Sequence, residues 1–392
     1  MKHRLYLLAA AISLLLVVAV CARSARRPAY GGTLRVEIGA VVNSLDPSIA
    51  ATGVGEAEAK AEIDGLIYGP RIPGGNFAAV GTGSGPFHVS AWDPGKHVSL
   101  AANDDNPGGR AFVDSIDILM GRSVRDRMLD LEVNATDVAE VPAEQARQAV
   151  AGGVRVSASQ PDRLLALVFL AGRPASQDPR VREVVSECVD RSAIVDFILQ
   201  KEGVPAGGLL PQWSNGTAYL FPTAADPVGA KALLSQIGGL HSLALGYDAG
   251  DSLEQSVAER IAVDARAAGL SVSTQPMSPG NSAGLPDARL VRLSMPSPAP
   301  QTSLQSFLSV LVPMAGLDSM QLPASASTEQ IYAAERGVAE GYRVVPLVWF
   351  PHVFGLSNRV MDWRAPDPGE SWPFTDVWLN GPAGDLSEKV QP

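Results

Sequence analysis

Between residues 164 and 203 the hydrophobic period of the chain shifts from strand-like to helical, and the shift predicts a buried strand followed by two helices. Leu164, Leu165, Ala166, Leu167, Val168, Phe169 and Leu170 form a continuous apolar run of strand length. Such a run suits a strand covered on both faces better than one half-exposed at a sheet surface. Asp178 and Pro179 then mark a helix start, since the carboxylate can accept from free backbone N–H groups and proline is tolerated at the first helical position. Val181, Val184, Val185, Cys188 and Val189 recur at i, i+3, i+4, i+7 and i+8, while Arg180, Arg182, Glu183 and Glu187 take the other side, as in a helix with one buried face. Ser192 is placed to cap a second helix through Leu199, with Gly203 where that helix should have ended.

The same alternation recurs along the chain. Leu34, Val36 and Ile38 share one face of a strand, and Ala57, Ala61, Ile63 and Leu66 have helical spacing. Residues 69–86 are rich in Gly and Pro with little to bury. Residues 87–100 read as a hairpin turning at Asp93-Pro94-Gly95-Lys96. Strands are expected at 116–120 and 289–295, and helices at 124–131, 143–150, from Asp226-Pro227 onward, and at 328–341. Segments 243–247, 253–268 and 270–275 form a β-α-β unit, with Ser252 and Gln255 spaced as a capping box; Ser327 and Gln330 are spaced likewise. Strands and helices in alternation build sheets with covered faces, so the fold class is α/β.

With 392 residues, 46% of them hydrophobic, the chain is long enough for two or three domains with real cores. The net charge of −10 and the lack of a basic patch exclude nucleic acid as a partner. Lys2, His3 and Arg4 precede an apolar run over residues 5–20, the layout of a secretory signal peptide over 1–21, with a tether over 22–30. Val18-Ala19-Val20-Cys21 resembles a bacterial lipobox, which makes Cys21 a candidate lipidation site and membrane anchor. Ordinary cleavage and an uncleaved anchor are the alternatives. Cys188 is the only other cysteine and lies on the apolar helix face, so a disulfide framework is excluded.

Several separated motifs resemble one family. They are Gly31-Gly32-Thr33-Leu34, Ser44-Leu45-Asp46-Pro47, Gly83-Ser84-Gly85-Pro86-Phe87, Trp92-Asp93-Pro94-Gly95, Asp137-Val138-Ala139, Asp178-Pro179-Arg180-Val181-Arg182, Asp190-Arg191 and Pro346-Leu347-Val348-Trp349. In this order they resemble the family 5 extracellular solute-binding proteins, the peptide, nickel and oligosaccharide receptors of ABC importers. The resemblance implies a two-lobed periplasmic-binding-protein-like fold of type II, cluster C-like, with a hinge between the lobes. Lobe 1 would hold residues 31–165 and 345–392, and lobe 2 residues 166–344. The first lobe is short for the family, since the 83–87 motif arrives after only a helix and a loop. Leu170 stands where the family has Asn, and residues 295–301 lack the family's acid.

The implied function is capture of a peptide-like or other small solute by lobe closure and its delivery to the permease subunits of an ABC importer, by an exported, monomeric protein of the periplasm or cell envelope, without a cofactor. Groove candidates are Ser44 and Asp46 from the first loop, Trp213, Ser297, Gln301, Trp349 and His352, because aromatic faces can stack on varied ligands and a few polar groups fix orientation. The alternative is a non-transporting relative acting as an envelope scaffold or sensor. Gly280-Asn281-Ser282-Ala283-Gly284 fits a nucleophile-elbow pattern, but Pro276, Pro279 and Pro286 surround it, so a serine hydrolase using Ser282 lacks the strand-turn-helix context that chemistry needs. His88 and His97 are out of register on their hairpin and make no metal pair. Because Ser297 replaces the acid that pairs with a peptide ammonium in peptide-binding relatives, free peptide termini are expected not to be gripped by charge; tight binding that depends on a free amino terminus would refute this.

Overall fold

A computed structural model describes residues 28–51, 54–69, 83–174, 177–216, 220–237, 242–278 and 284–380. The signal segment with Cys21, and Ser282, lie outside the described residues. The chain begins with β1 (Thr33–Glu37), α1 (Val54–Tyr68), β2 (Phe87–Asp93), β3 (His97–Ala102), β4 (Ser115–Leu119), α2 (Val124–Glu132), β5 (Val138–Val141), α3 (Ala146–Ala151) and β6 (Arg155–Ala158). It continues through β7 (Arg163–Phe169), α4 (Pro179–Cys188), α5 (Arg191–Ala193), β8 (Val204–Pro205), α6 (Gln212–Asn215), α7 (Pro227–Ile237), β9 (Ser242–Asp248), α8 (Ser252–Ala268), β10 (Ser271–Met277) and β11 (Ala288–Ser294). Then come α9 (Pro300–Ala315), α10 (Thr328–Ala339), β12 (Val344–Phe350), β13 (Val353–Leu356) and a ribbon of β14 (Val360–Met361) with β15 (Trp378–Leu379).

These strands make two mixed sheets, ordered β2-β3-β4-β1-β5-β13-β6 and β10-β9-β11-β7-β12-β8. The chain passes between them at residues 159–162 and 351–352. The boundaries expected at 165 and 345 therefore shift, because β7 and β12 lie in the second sheet along their whole length. Their apolar runs pair with each other, from Val168 opposite Val344 to Arg163 opposite Phe350. Both faces of β7 are covered, as its composition predicts: Leu165, Leu167 and Phe169 pack into one core with α4 and α8, while Leu164, Ala166 and Val168 pack into another with α9 and α10. A third core fills the first sheet and takes in Trp372, Phe374 and Val377 from the carboxy-terminal coil, with Trp363 against it.

Local chemistry explains most element ends and revises two expected caps. Asp178 accepts from the backbone N of Arg180 at 2.9 Å with Pro179 in the first turn, and Ser327 with Gln330 forms a reciprocal capping box. Asp190, not Ser192, caps the next helix, accepting from Ala193 N at 2.9 Å, and the chain then passes into a wider π turn over Ile194–Ile198. Asp251, not Ser252, caps α8, accepting from Leu253 N and Glu254 N at 3.0 Å each. In both places an aspartate just upstream outcompetes the serine, because a full negative charge is the stronger acceptor at the positive end of a helix. Helix α9 was hidden by its prolines: Pro300 occupies the first turn, where a missing N–H costs nothing.

The family-like motifs are mostly structural. Asp137 is fully buried and holds Arg35 through its Nε at 2.8 Å and Ser357 at 3.0 Å, tying β1 and β5 to the segment after β13. Arg191 is fully buried and donates to the carbonyls of Pro346 at 2.9 Å and Ser186 at 3.2 Å, which pins β12 at the point where its register slips. Gly83 and Gly85 let the backbone abut the end of α1; a Cβ at either would collide with the Ile67 carbonyl, while Gly85 N donates to it at 2.9 Å.

Glu335 on α10 is another buried anchor, accepting from the backbone N of Leu209 and, at 3.0 Å, of Leu210. Burial pushes its pKa up to about 7, against the pull of those two donors. A carboxyl whose pKa is raised on folding holds its proton more tightly in the native chain, so its stabilising contribution is present at low pH and is lost as pH rises from the ordinary carboxyl range through about 7. The fall in melting temperature across that window is expected to be shallower in Glu335→Gln, which keeps an acceptor for both N–H groups. Glu335→Leu, which orphans both, is expected to lose about 2–4 kcal/mol in a denaturant titration.

Candidate functional site

The two crossings run side by side. β6 and β13 are antiparallel neighbours, ending with Ala158 opposite Val353, and β7 and β12 are antiparallel neighbours beginning with Arg163 opposite Phe350. Between them Ser159 N donates to the His352 carbonyl at 2.9 Å, and His352 N donates to Ser159 Oγ at 2.9 Å. This double strand places Asp162, Arg163, Phe350 and His352 at the mouth between the sheets. Arg292 and Ser294 join them from the end of β11, since Ser294 is the register partner of Arg163.

From the first-sheet side, α1 sends Glu58 into this group. Its carboxylate accepts a hydrogen bond from Ser294 Oγ, lies 3.5 Å from Arg163 Nη2 and lies 3.7 Å from His352 Nε2. The other nitrogen of His352, Nδ1, is 3.6 Å from Asp162 Oδ2. Arg292 pairs with Asp251 and its guanidinium stands 5.5 Å from the centre of the Phe350 ring. Burial alone would raise the Glu58 pKa, but Arg163 and His352, helped by the Ser294 hydroxyl and Arg292, more than offset it and hold the carboxylate below its ordinary value. One turn along α1, Glu62 accepts from Trp372 N at 2.7 Å, and burial pushes it the other way, up to about 8. Adjacent turns of one helix thus carry a carboxylate held ionised and one held protonated at neutral pH.

The expected groove residues distribute unevenly over this frame. His352 is at its centre. Trp213 is exposed on α6 and donates from Nε1 to the Pro161 carbonyl at 3.0 Å, beside the first crossing. Its neighbour Ser214 donates to the Pro298 carbonyl at 3.4 Å, which brings the 296–299 turn alongside. Ser297 Oγ accepts from Ala299 N at 3.1 Å within that turn. A side chain at Gly369, from the carboxy-terminal coil, would strike the Pro296 carbonyl, so this turn faces the first lobe. Gln301 lies in the first turn of α9. Ser44 and Asp46 are engaged in their own loop: Ser44 Oγ accepts from Asp46 N at 3.1 Å, and Asp46 accepts from Ser48 N at 2.9 Å and Ser48 Oγ at 2.6 Å. Those Ser48 bonds hold the Asp46 carboxylate below its ordinary pKa. Trp349 is 2% exposed and packs with Phe307 in the second-sheet core, ring centres 6.2 Å apart, so it faces the core and not the groove.

Glu58, Arg163 and Arg292 were missed by sequence reasoning. Glu58 brings a carboxylate to Ser294, at the end of the strand that precedes the acid-free 295–301 segment, from 236 positions away. The available signal was the (i, i+4) repeat of Glu58 and Glu62 on the otherwise small-residue face of α1. His88 stands opposite Ala101 and His97 opposite Asp93, and no group of three or more His, Cys, Asp or Glu among the described residues could hold a metal ion. A hollow of about 100 Å³ lined by Glu132, Asn134, Gly153 and Ser357 shares no residue with the seam.

Comparison with known proteins agrees with this architecture. The model of the bacterial extracellular solute-binding proteins, family 5 Middle, matches residues 68–311. The match covers more than half of the chain, and the chain belongs to this family. Protein XP55 of Streptomyces lividans is 25% identical over 224 residues, 53% of this chain and 41% of that protein. The chain thus spans about two fifths of the length of the curated relatives it matches. The periplasmic binding protein DppA of Helicobacter pylori, solved with the peptide STSA, superposes with a TM-score of 0.68 at 13% identity, covering 90% of this chain and 99% of that one. NikA of Staphylococcus aureus, solved with a nickel–histidine complex, gives 0.65 at 16% identity, covering 79% and 71%. These likenesses establish the two-lobed fold. No helix among the described residues is long and apolar enough to cross a membrane.

The two tryptophans at the crossings should behave differently. Trp349→Ala is expected to cost about 3–5 kcal/mol of stability, as for a large aromatic removed from a core. Trp213→Ala, which loses one exposed hydrogen bond, is expected to cost less than about 1 kcal/mol. Equal losses in urea denaturation would contradict this placement.

Proposed function

We propose that this family 5 solute-binding protein captures a small, peptide-like solute in the cleft between its two sheets and presents it, closed, to the permease subunits of an ABC importer. The observation that carries the reading is the double-strand crossing at residues 159–162 and 351–352, with ionisable side chains from both lobes converging at its mouth. Two crossings of this kind act as a hinge, and closure around a ligand is the motion such a hinge permits. No step of covalent chemistry is needed, and the protein acts by binding and not as an enzyme. It works outside the cytoplasm as a monomer, exported by its amino-terminal segment and tethered to the membrane through a lipid on Cys21.

A second reading, a non-transporting relative serving as an envelope scaffold or sensor, is favoured by one observation: the seam is bridged by the chain's own Glu58 and Ser294. The test that separates the two is a thermal-shift screen of the exported chain against peptides, oligosaccharides, amino acids and metal chelates. A true ligand at a hundred times its dissociation constant is expected to add about 2.7 kcal/mol of stability, and the shift should shrink in Trp213→Ala. A cooperative melt that no solute moves would favour the scaffold.

A further inference from the structure

Nothing in the composition of β12 fixes its register. Val344, Val345, Pro346, Leu347, Val348, Trp349 and Phe350 are all apolar and all buried, and such a strand can slide by one residue without turning a polar side chain into a core. β12 nonetheless changes register once. Val344, Val345 and Pro346 lie opposite Val168, Leu167 and Ala166; after an extra residue at Leu347, Val348, Trp349 and Phe350 lie opposite Leu165, Leu164 and Arg163. This bulge swaps the faces beyond it. Leu347 and Val348 both enter the core beside α4 and α8, Trp349 enters the core beside α9 and α10, and Phe350 reaches the mouth, 5.5 Å from the Arg292 guanidinium. Unbroken pairing from Pro346 onward would set Trp349 opposite Arg163 and turn Phe350 to the other face.

Pro346 opens the ladder here, since proline has no N–H to give it, but an opened ladder can resume with or without an extra residue. Arg191 meets the break. Its Nε donates to the Pro346 carbonyl at 2.9 Å, Nη1 to the Ser186 carbonyl at 3.2 Å and Nη2 to Ser186 Oγ at 3.5 Å. The side chain is fully buried, and among the described residues its hydrogen bonds go to neutral oxygens alone. A charged donor holds a carbonyl more firmly than a neutral one does. We propose that Arg191 is a positioning residue of the cleft: by clamping the Pro346 carbonyl to α4 it keeps the extra residue at Leu347, and so selects Phe350 over Trp349 as the aromatic at the mouth. β13 is held between β5 and β6, so a slip of β12 is taken up at residues 351–352, and the clamp also sets where His352 meets Glu58. The bearing on the cleft rests on the receptor reading; the register does not.

Fluorine NMR of the chain labelled with 5-fluorotryptophan reads the register. The chain has six tryptophans, and Trp349→Phe identifies the resonance of Trp349. The Phe307 ring stands 6.2 Å from it, so Phe307→Leu is expected to shift that resonance in the wild type through the lost ring current. In Arg191→Met the same substitution is expected to leave it unmoved, because the indole has left that core, while the first-lobe resonances of Trp92, Trp372 and Trp378 hold their places. A Trp349 resonance that still answers to Phe307→Leu in a cooperatively melting Arg191→Met, or first-lobe resonances that move with it, would overturn the proposal. If Arg191→Met does not fold, Arg191→Lys carries the test. It keeps the charge, but its single nitrogen cannot span the carbonyls of Pro346 and Ser186, and a Trp349 resonance deaf to Phe307→Leu is expected, alone or beside the original. Finding the responsive resonance alone overturns the clamp. A slipped strand with a silent solute panel supports the clamp and tells against the receptor; an unslipped strand in a chain whose melt a peptide or amino acid shifts overturns the clamp and leaves the receptor reading standing.

Discussion

The pairing of two strands with each other on both sides of the gap between the sheets is the constraint on which the rest of this structure depends. β6 with β13 and β7 with β12 make what is nearly one antiparallel ribbon, interrupted at residues 159–162 and 351–352, where Ser159 and His352 bridge the two strands. A ribbon of two strands bends easily across its face but resists shear along its length, because sliding would break register and turn side chains to the wrong face. The first lobe can therefore swing relative to the second but cannot slide, and each side chain at the mouth returns to the same partner. Arg191 reinforces this from below by holding the Pro346 carbonyl where β12 slips register.

From that ribbon outward, the sequence was legible wherever a local rule decided the outcome. The double-faced burial of 164–169, the Asp178-Pro179 start, the β9-α8-β10 unit and the Ser327–Gln330 box each depend on residues a few positions apart. The failures are local competitions read the wrong way. Asp190 and Asp251 displaced the serines expected as caps, and the prolines before α9 masked Leu304, Phe307, Leu308 and Leu311, whose helical spacing was there to be counted. The lobe boundaries moved for a different reason. Periodicity locates β7 and β12 but says nothing about which sheet they join, and only their mutual register places both in the second.

The site was legible in position and not in chemistry. His352 lies at the crossing because the returning strand does, which follows from family order, and Trp213 lies there because α6 stands beside Pro161. The ionic group does not follow from that order, because Glu58, Arg163, Ser294 and His352 come from four separate elements and meet only after both sheets have formed. No window of sequence shows that α1 brings a carboxylate to Ser294. Trp349 misled in the opposite sense: on a strand buried on both faces, an aromatic one residue from the mouth can point only into a core.

The chemical character of the two contact zones then bears on how the lobes separate. Near the ribbon the lobes share apolar packing, with Ala139, Val141 and Val353 joined to Leu165, Val348 and Phe350 in one core. At the mouth the contact is ionic. Pairing charges across a seam returns little net stability, because the energy of taking both ions from water is of the same order as their attraction. An apolar mouth of equal area would hold the lobes shut and resist rewetting; an ionic one costs little to open, since water replaces each lost partner. Packing that persists at the hinge and pairing that is nearly neutral at the mouth are together what a cleft needs if it is to open repeatedly and close each time in the same register.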